Sequence, residues 1–220
     1  MLNHLQRLEK LRGIEHRDPA FTLEVGRVKR WQHQRLVKTY ADLSADARYA
    51  QATAFFLDEL YGEKESAIRD RDLIRMVPTI KRLLPKFAFD TVTSALELDV
   101  LAEEFDHALA KRLSGQTITT ENYCEAFRAA GRKPDRLRQV ALLKEVGAGL
   151  DLVVKKPLLY ATLKLLRRPA KMAGLDEMQR FLEVGFSAFR HMKGASYFLA
   201  TIAERETALI EAIFSGENIA

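Results

Sequence analysis

Glu104 and His107 form a Glu-x-x-His spacing inside a long apolar-periodic stretch. On a helix this places a carboxylate and an imidazole on one face, as in carboxylate-bridged di-iron bundles. A two-metal centre also needs a second such pair and two more inward carboxylates. None of His4, His16, His33 and His191 has a glutamate three residues before it. Glu104 and His107 are therefore candidates without a complete ligand set, and no metal is expected. Glu97, Asp99, Glu103, Glu104 and Asp106 are expected to form the solvated face of that helix. If they turned inward, like-charge repulsion would demand protonation, arginine pairing or a cation.

A second constellation is Phe55-Phe56-Leu57-Asp58-Glu59-Leu60-Tyr61, followed by Gly62. Adjacent helical residues splay by about 100°, so at least one of Asp58 and Glu59 is expected near a buried edge. The simplest role for the segment is a core anchor, with the Tyr61 hydroxyl at a polar boundary. A sharper role has one of these carboxylates receiving an arginine from the run that contains Arg71 and Arg75. Those two arginines are four residues apart and present one basic face, which suits an ion-pair network or an anion. The segment resembles the signature of a bacterial, mainly proteobacterial, group named for an FFLEELY motif, with Asp58 in place of the first Glu. The resemblance continues through Pro78 to Pro85 and, more loosely, into Phe181-Leu182-Glu183-Val184-Gly185-Phe186 and Phe189-Arg190. It assigns no catalytic or binding residue.

Lys155, Lys156, Lys164, Arg167 and Arg168 bracket a leucine-rich stretch, Leu158, Leu159, Leu163, Leu165 and Leu166. Cations at both ends of an apolar side are the pattern of an interfacial or partner-binding helix. A core helix with basic ends has the same pattern. Tyr160 is the only aromatic interleaved there and no helix-turn-helix spacing stands out, so nucleic acid is not an expected partner. His191 beside Met192, among Phe181, Phe186, Phe189, Tyr197 and Phe198, admits a haem ligand, but a packed or surface histidine accounts for it more simply. Cys124 lacks a basic cluster to activate it and reads as a buried thiol. No phosphate loop, nucleophile elbow, zinc motif or kinase signature is present, so the chain leans away from catalysis.

These side chains are set in a 220-residue chain that is 47% apolar and 30% charged, enough for a substantial core. The longest nearly uncharged runs fall short of the roughly 20 residues that cross a bilayer. The first residues interleave leucines with charge, unlike a secretory signal. With a single cysteine, a reducing, cytoplasmic location is expected. The net charge is only +5, but it is distributed in blocks: residues 1–40 hold nine Lys/Arg against four Asp/Glu, and 87–110 hold six Asp/Glu and no Lys/Arg. Blocks of this kind suit an acidic partner, an anionic surface or solvated helix faces.

The 3.6-residue period dominates, which predicts an all-α, compact multi-helix bundle of about eight to ten helices. The bundle is read as one domain over 1–220, with a possible subdivision into 1–115 and 116–220. Asp18-Pro19 opens a helix to about Tyr40, and Ser44 caps the next, Ala45 to Tyr61, which Gly62 closes. Pro78 kinks an apolar stripe that Pro85 ends. Phe87–Leu113 is a long helix, and Thr120 caps a short one that stops at Gly131. Arg136–Lys156 is helical but weakened by Gly147 and Gly149. Pro157 opens a helix to about Arg168, and Leu175–His191 and Ala195–Phe214 pair around Lys193-Gly194. The expected function is a non-enzymatic binding or adaptor module that meets a protein or anionic surface through basic helices. The alternative is an interhelical pocket for an apolar ligand, an acyl chain or haem.

Overall fold

Every regular element among the described residues of the computed structural model is helical, as the periodicity predicts. The structure describes residues 1–60, 85–165, 167–172, 174 and 176–217. The helices are α1 (Leu2–Arg17), α2 (Pro19–Thr39), α3 (Ala41–Ala45), α4 (Ala50–Phe55) and α5 (Lys86–Leu113), followed by α6 (Thr120–Ala130) and α7 (Lys133–Val154). After these come α8 (Pro157–Leu165), α9 (Arg167–Met172), α10 (Asp176–Met192) and α11 (Ser196–Ser215). Among the described residues, eight of these run nine residues or longer, within the expected eight to ten.

Local chemistry sets most boundaries. The Asp18 carboxylate accepts from the Phe21 amide at 3.0 Å, with Pro19 in the first turn of α2, so the predicted cap is present. At α6 the cap is Thr119 rather than Thr120. Its hydroxyl accepts from the Asn122 amide while the Asn122 side chain accepts from the Thr119 amide, a reciprocal capping box. Gly131, at φ 68°, ends that helix as expected.

Ser44 departs from its expected role. It lies within α3, and the helix that carries the aromatic motif starts at Ala50, after a turn in which the Asp46 carboxylate accepts from the Arg48 amide at 2.7 Å. The buried Leu43 and Tyr49 on either side of that turn anchor it in the core. The motif then widens into a π-helical turn, Phe56–Leu60. The predicted Gly62 cap, the Arg69–Arg75 run and the Pro78 kink lie outside the described residues.

Helix α5 runs through the middle and packs on α1, α2, α6 and α7, while α7 also packs on α11. Four apolar clusters make up the core among the described residues, two of them large. One joins Leu36, Tyr49, Phe55, Phe189, Met192 and Phe198. The other joins Val25, Val28, Leu109, Phe127, Ile210 and Ile213. Gly147 and Gly149 have a packing role beyond their helix cost: a β-carbon at Gly147 would land inside the Leu199 side chain, and one at Gly149 inside Thr91. They let α7 approach α11 and α5 closely.

Candidate functional site

Chemistry-bearing side chains collect in two places, a buried polar seam along α5 and an exposed basic face on α8–α9. The seam corrects the reading of the acidic stretch as a solvated face. Glu103 and Asp106 are buried, at 4% and 8% exposure. Arginine and lysine pairing neutralises Glu103. Lys29 Nζ donates to both Glu103 carboxylate oxygens at 3.0 Å, and Arg12 reaches Glu103 Oε1 at 3.2 Å and Asp99 at 3.0 Å. Burial alone would raise the Glu103 pKa, but Lys29 and Arg12 outweigh it and hold the carboxyl below its usual range. Lys29, likewise disfavoured as a cation by burial, is held above its usual range by Glu103.

Asp106 responds in the opposite direction. Burial pushes its pKa up to about 6, with Glu103 adding repulsion, while Lys29, a hydrogen bond from Gln32 and Arg136 pull the other way. Gln32 also donates to the Tyr123 hydroxyl at 3.3 Å, and Tyr123 stacks on Trp31 with ring centroids 4.0 Å apart. Three residues further along α2, Arg35 makes a bidentate pair with Glu206 at 3.1 and 2.9 Å, which Tyr40 joins at 2.7 Å. Lys29, Gln32 and Arg35 thus form one inward polar stripe of α2. On the opposite side, the Arg136 guanidinium sits 3.5 Å from the Phe105 ring centroid and 4.0 Å from that of Phe127.

The two metal candidates separate. Glu104 turns to Arg7 and, at 2.9 Å, to Arg132. His107 instead meets Glu15 of α1, Nε2 to Oε1 at 2.7 Å. Ligand atoms of Glu15, Glu103 and His107 lie within 4.8 Å of one another. Lys29 and Arg12 already engage Glu103, so a divalent ion would have to displace a lysine and enter beside an arginine. The residues present suit an ion-pair network better than a metal. Sequence reasoning missed Glu15, Lys29 and Arg12. The signal that could have found them is the opposition between the basic 1–40 block and the acidic 87–110 block.

In the aromatic motif, Phe55 and Leu57 are buried and Asp58 is exposed, 4.0 Å from His33 Nε2. Phe55 packs on Phe181, ring centroids 5.3 Å apart, and a β-carbon at Gly185 would come within 2.7 Å of its Cζ. The two segments that carry the sequence resemblance therefore touch. Phe56 faces Phe198 edge-on, and Glu59 and Leu60 close the π-helical turn. Tyr61, Arg71 and Arg75 lie outside the described residues. A shallow hollow of about 340 Å³, lined by Gln51, Phe55, Asp58, Val184 and Ser187 among others, lies between α4 and α10. His191 is exposed and donates to the Ala47 carbonyl at 3.0 Å, whereas its neighbour Met192 is fully buried. Cys124 is buried, and burial pushes its thiol pKa up.

The leucine-rich stretch does not form one apolar side. Leu159, Tyr160 and Leu163 turn partly inward; Tyr160 stacks on Phe186 at 4.9 Å, and the Leu163 carbonyl accepts from Gln179 at 2.6 Å. Leu158 and Leu165, seven residues apart and so on one face, point outward at 81% and 78% exposure, with Met172 at 90%. Leu166 lies outside the described residues. Lys155 pairs with Asp151 at 2.6 Å, and Arg167 pairs with Glu183. Those two carboxylates are thereby engaged. Lys156, Lys164, Arg168 and Lys171, all exposed, form no ion pair among the described residues, although Lys164 lies over the Tyr160 ring at 4.4 Å.

No helix among the described residues is long and apolar enough to cross a membrane. No curated protein and no solved structure matches the chain. Residues 12–220 match the family model described as a domain of unknown function, DUF8198. That match spans the seam, the aromatic motif and the basic face alike, and the chain belongs to the DUF8198 family.

Proposed function

We propose that this chain is a non-enzymatic binding module whose α8–α9 face meets an anionic partner. One observation carries the reading: along residues 156–172 the exposed Leu158, Leu165 and Met172 alternate with the exposed Lys156, Lys164, Arg168 and Lys171, while Asp151 and Glu183 are taken by Lys155 and Arg167. Exposed apolar side chains among cations that form no ion pair among the described residues make a surface suited to an external anion. The buried seam supports the same division of labour. Its acids and bases are engaged with one another in the interior, which suits a scaffold better than a reaction centre. Membership of the group with the FFLEELY motif is part of this proposal and rests on Phe55 to Tyr61.

The test uses a polyglutamate column and two variants of equal net charge. One reverses the face at Lys156→Glu, Lys164→Glu, Arg168→Glu and Lys171→Glu. The other reverses exposed cations elsewhere, Lys10→Glu, Arg17→Glu, Lys38→Glu and Lys144→Glu. The face variant is expected to lose retention while the control keeps most of it. Equal retention of the two folded variants overturns the reading.

A further inference from the structure

We infer that the anionic partner of the α8–α9 face is a lipid bilayer, on which the two helices lie flat; this rests on the binding-module reading and narrows it. The argument starts from α8. A helix buried on one side only should be polar on the other, yet the described exposed residues of α8 are Leu158, Ala161 and Leu165 beside the single charge of Lys164. Leu159, Tyr160 and Leu163 turn partly inward, while Leu158 and Leu165 leave most of their apolar surface to solvent. They flank Ala161, also exposed, and the apolar strip resumes across the break at Met172.

The flanking charge decides between occupants. A partner protein would be held by carboxylates placed one by one against each cation. Such pairing costs least where the cations are already fixed in position, as Lys155 and Arg167 are by Asp151 and Glu183. Lys156, Arg168 and Lys171 are held by no ion pair among the described residues and are exposed on long stems. Such side chains can snorkel to headgroup phosphates while leucine and methionine enter the acyl boundary. The strip is too short and too charged to cross the bilayer, so the mode is peripheral. Two short helices with three inserted side chains give weak, reversible attachment that depends on anionic lipid.

The experiment is sedimentation of the full chain with vesicles of phosphatidylcholine alone or mixed with phosphatidylglycerol, at low and high salt. The wild-type chain is expected to sediment with the anionic vesicles only and to be released by salt. Each reversed cation among Lys156, Lys164, Arg168 and Lys171 is expected to weaken binding by about fivefold or more. A Leu158→Ser, Leu165→Ser, Met172→Ser variant is expected to lose at least about tenfold on vesicles while keeping its retention on polyglutamate. Exposure of all three side chains makes that variant a fair test, and circular dichroism checks its folding. Unchanged vesicle binding by the folded triple variant overturns the bilayer inference, as does equal binding to neutral vesicles. Polyglutamate retention without vesicle binding also overturns it, but leaves the binding-module reading standing. Failure on both probes removes both.

Discussion

In the interior the cations Arg12, Lys29 and Arg35 each meet a carboxylate within 3.2 Å, whereas around α8–α9 Lys156, Lys164, Arg168 and Lys171 meet none among the described residues. The same residue types do different work in the two regions. In the seam, charge is internal and its energetics belong to folding. On the face, charge is external and bears on whatever approaches. The contrast arises because a buried ion must be compensated within the chain, while an exposed one costs little when left alone.

The sharpest way to break this contrast is at Glu103. Glu103→Ala leaves Lys29 and Arg12 facing each other with their shared acceptor gone, and should cost about 3–5 kcal/mol, read by urea unfolding. Glu103→Gln keeps one acceptor and should cost less. A loss within about 0.5 kcal/mol for Glu103→Ala would show that the seam does not hold the fold.

Asp106→Asn should act in the opposite direction. The folded pKa of Asp106, about 6, lies above its unfolded value. The native state therefore holds a proton that the unfolded chain releases, and this contribution to stability falls as pH rises from about 4 to 6 and stays lost above. Asparagine avoids that loss. The variant should be more stable than wild type at pH 7.5 by about 1–3 kcal/mol, with the gain vanishing toward pH 4. Unfolding curves at the two pH values check it. A difference that does not depend on pH would mean that Asp106 has the same pKa in the folded and the unfolded chain.

The smallest expected effect is on the face. Lys164→Glu should shift stability by no more than about 0.5 kcal/mol in either direction, by thermal melting. A larger loss would mean that α8 uses this cation for its own packing, against the Tyr160 ring for example, and would blur the distinction between the regions.

Much of the fold was legible because its signals are local. Asp18-Pro19 caps α2 through contacts three residues away, and Gly131 ends α6 by its own backbone. The seam was not legible in that way. Lys29 and Glu103 are 74 residues apart and Arg12 and Glu103 are 91, so no window along the chain contains both partners. A helix central to a bundle is buried around most of its circumference, and a polar residue there looks the same as one facing water until its partner is placed. Ser44 failed as a cap for a related reason. Burial of Leu43 and Tyr49 set the turn, and Asp46 supplied the oxygen that the turn needed. On α8, periodicity revealed the apolar residues but not that the core takes only some of them.

Gly147 and Gly149 also bear on how strain would spread. They fix the separation of α7 from α11 and α5 near its C-terminal half, and the Arg136 guanidinium, gripped between Phe105 and Phe127, fixes its N-terminal half. Pinned at both ends against different neighbours, α7 cannot slide or tilt without disturbing several layers of the bundle. The fixed frame therefore runs the length of α7 and stops at Val154, where that helix ends.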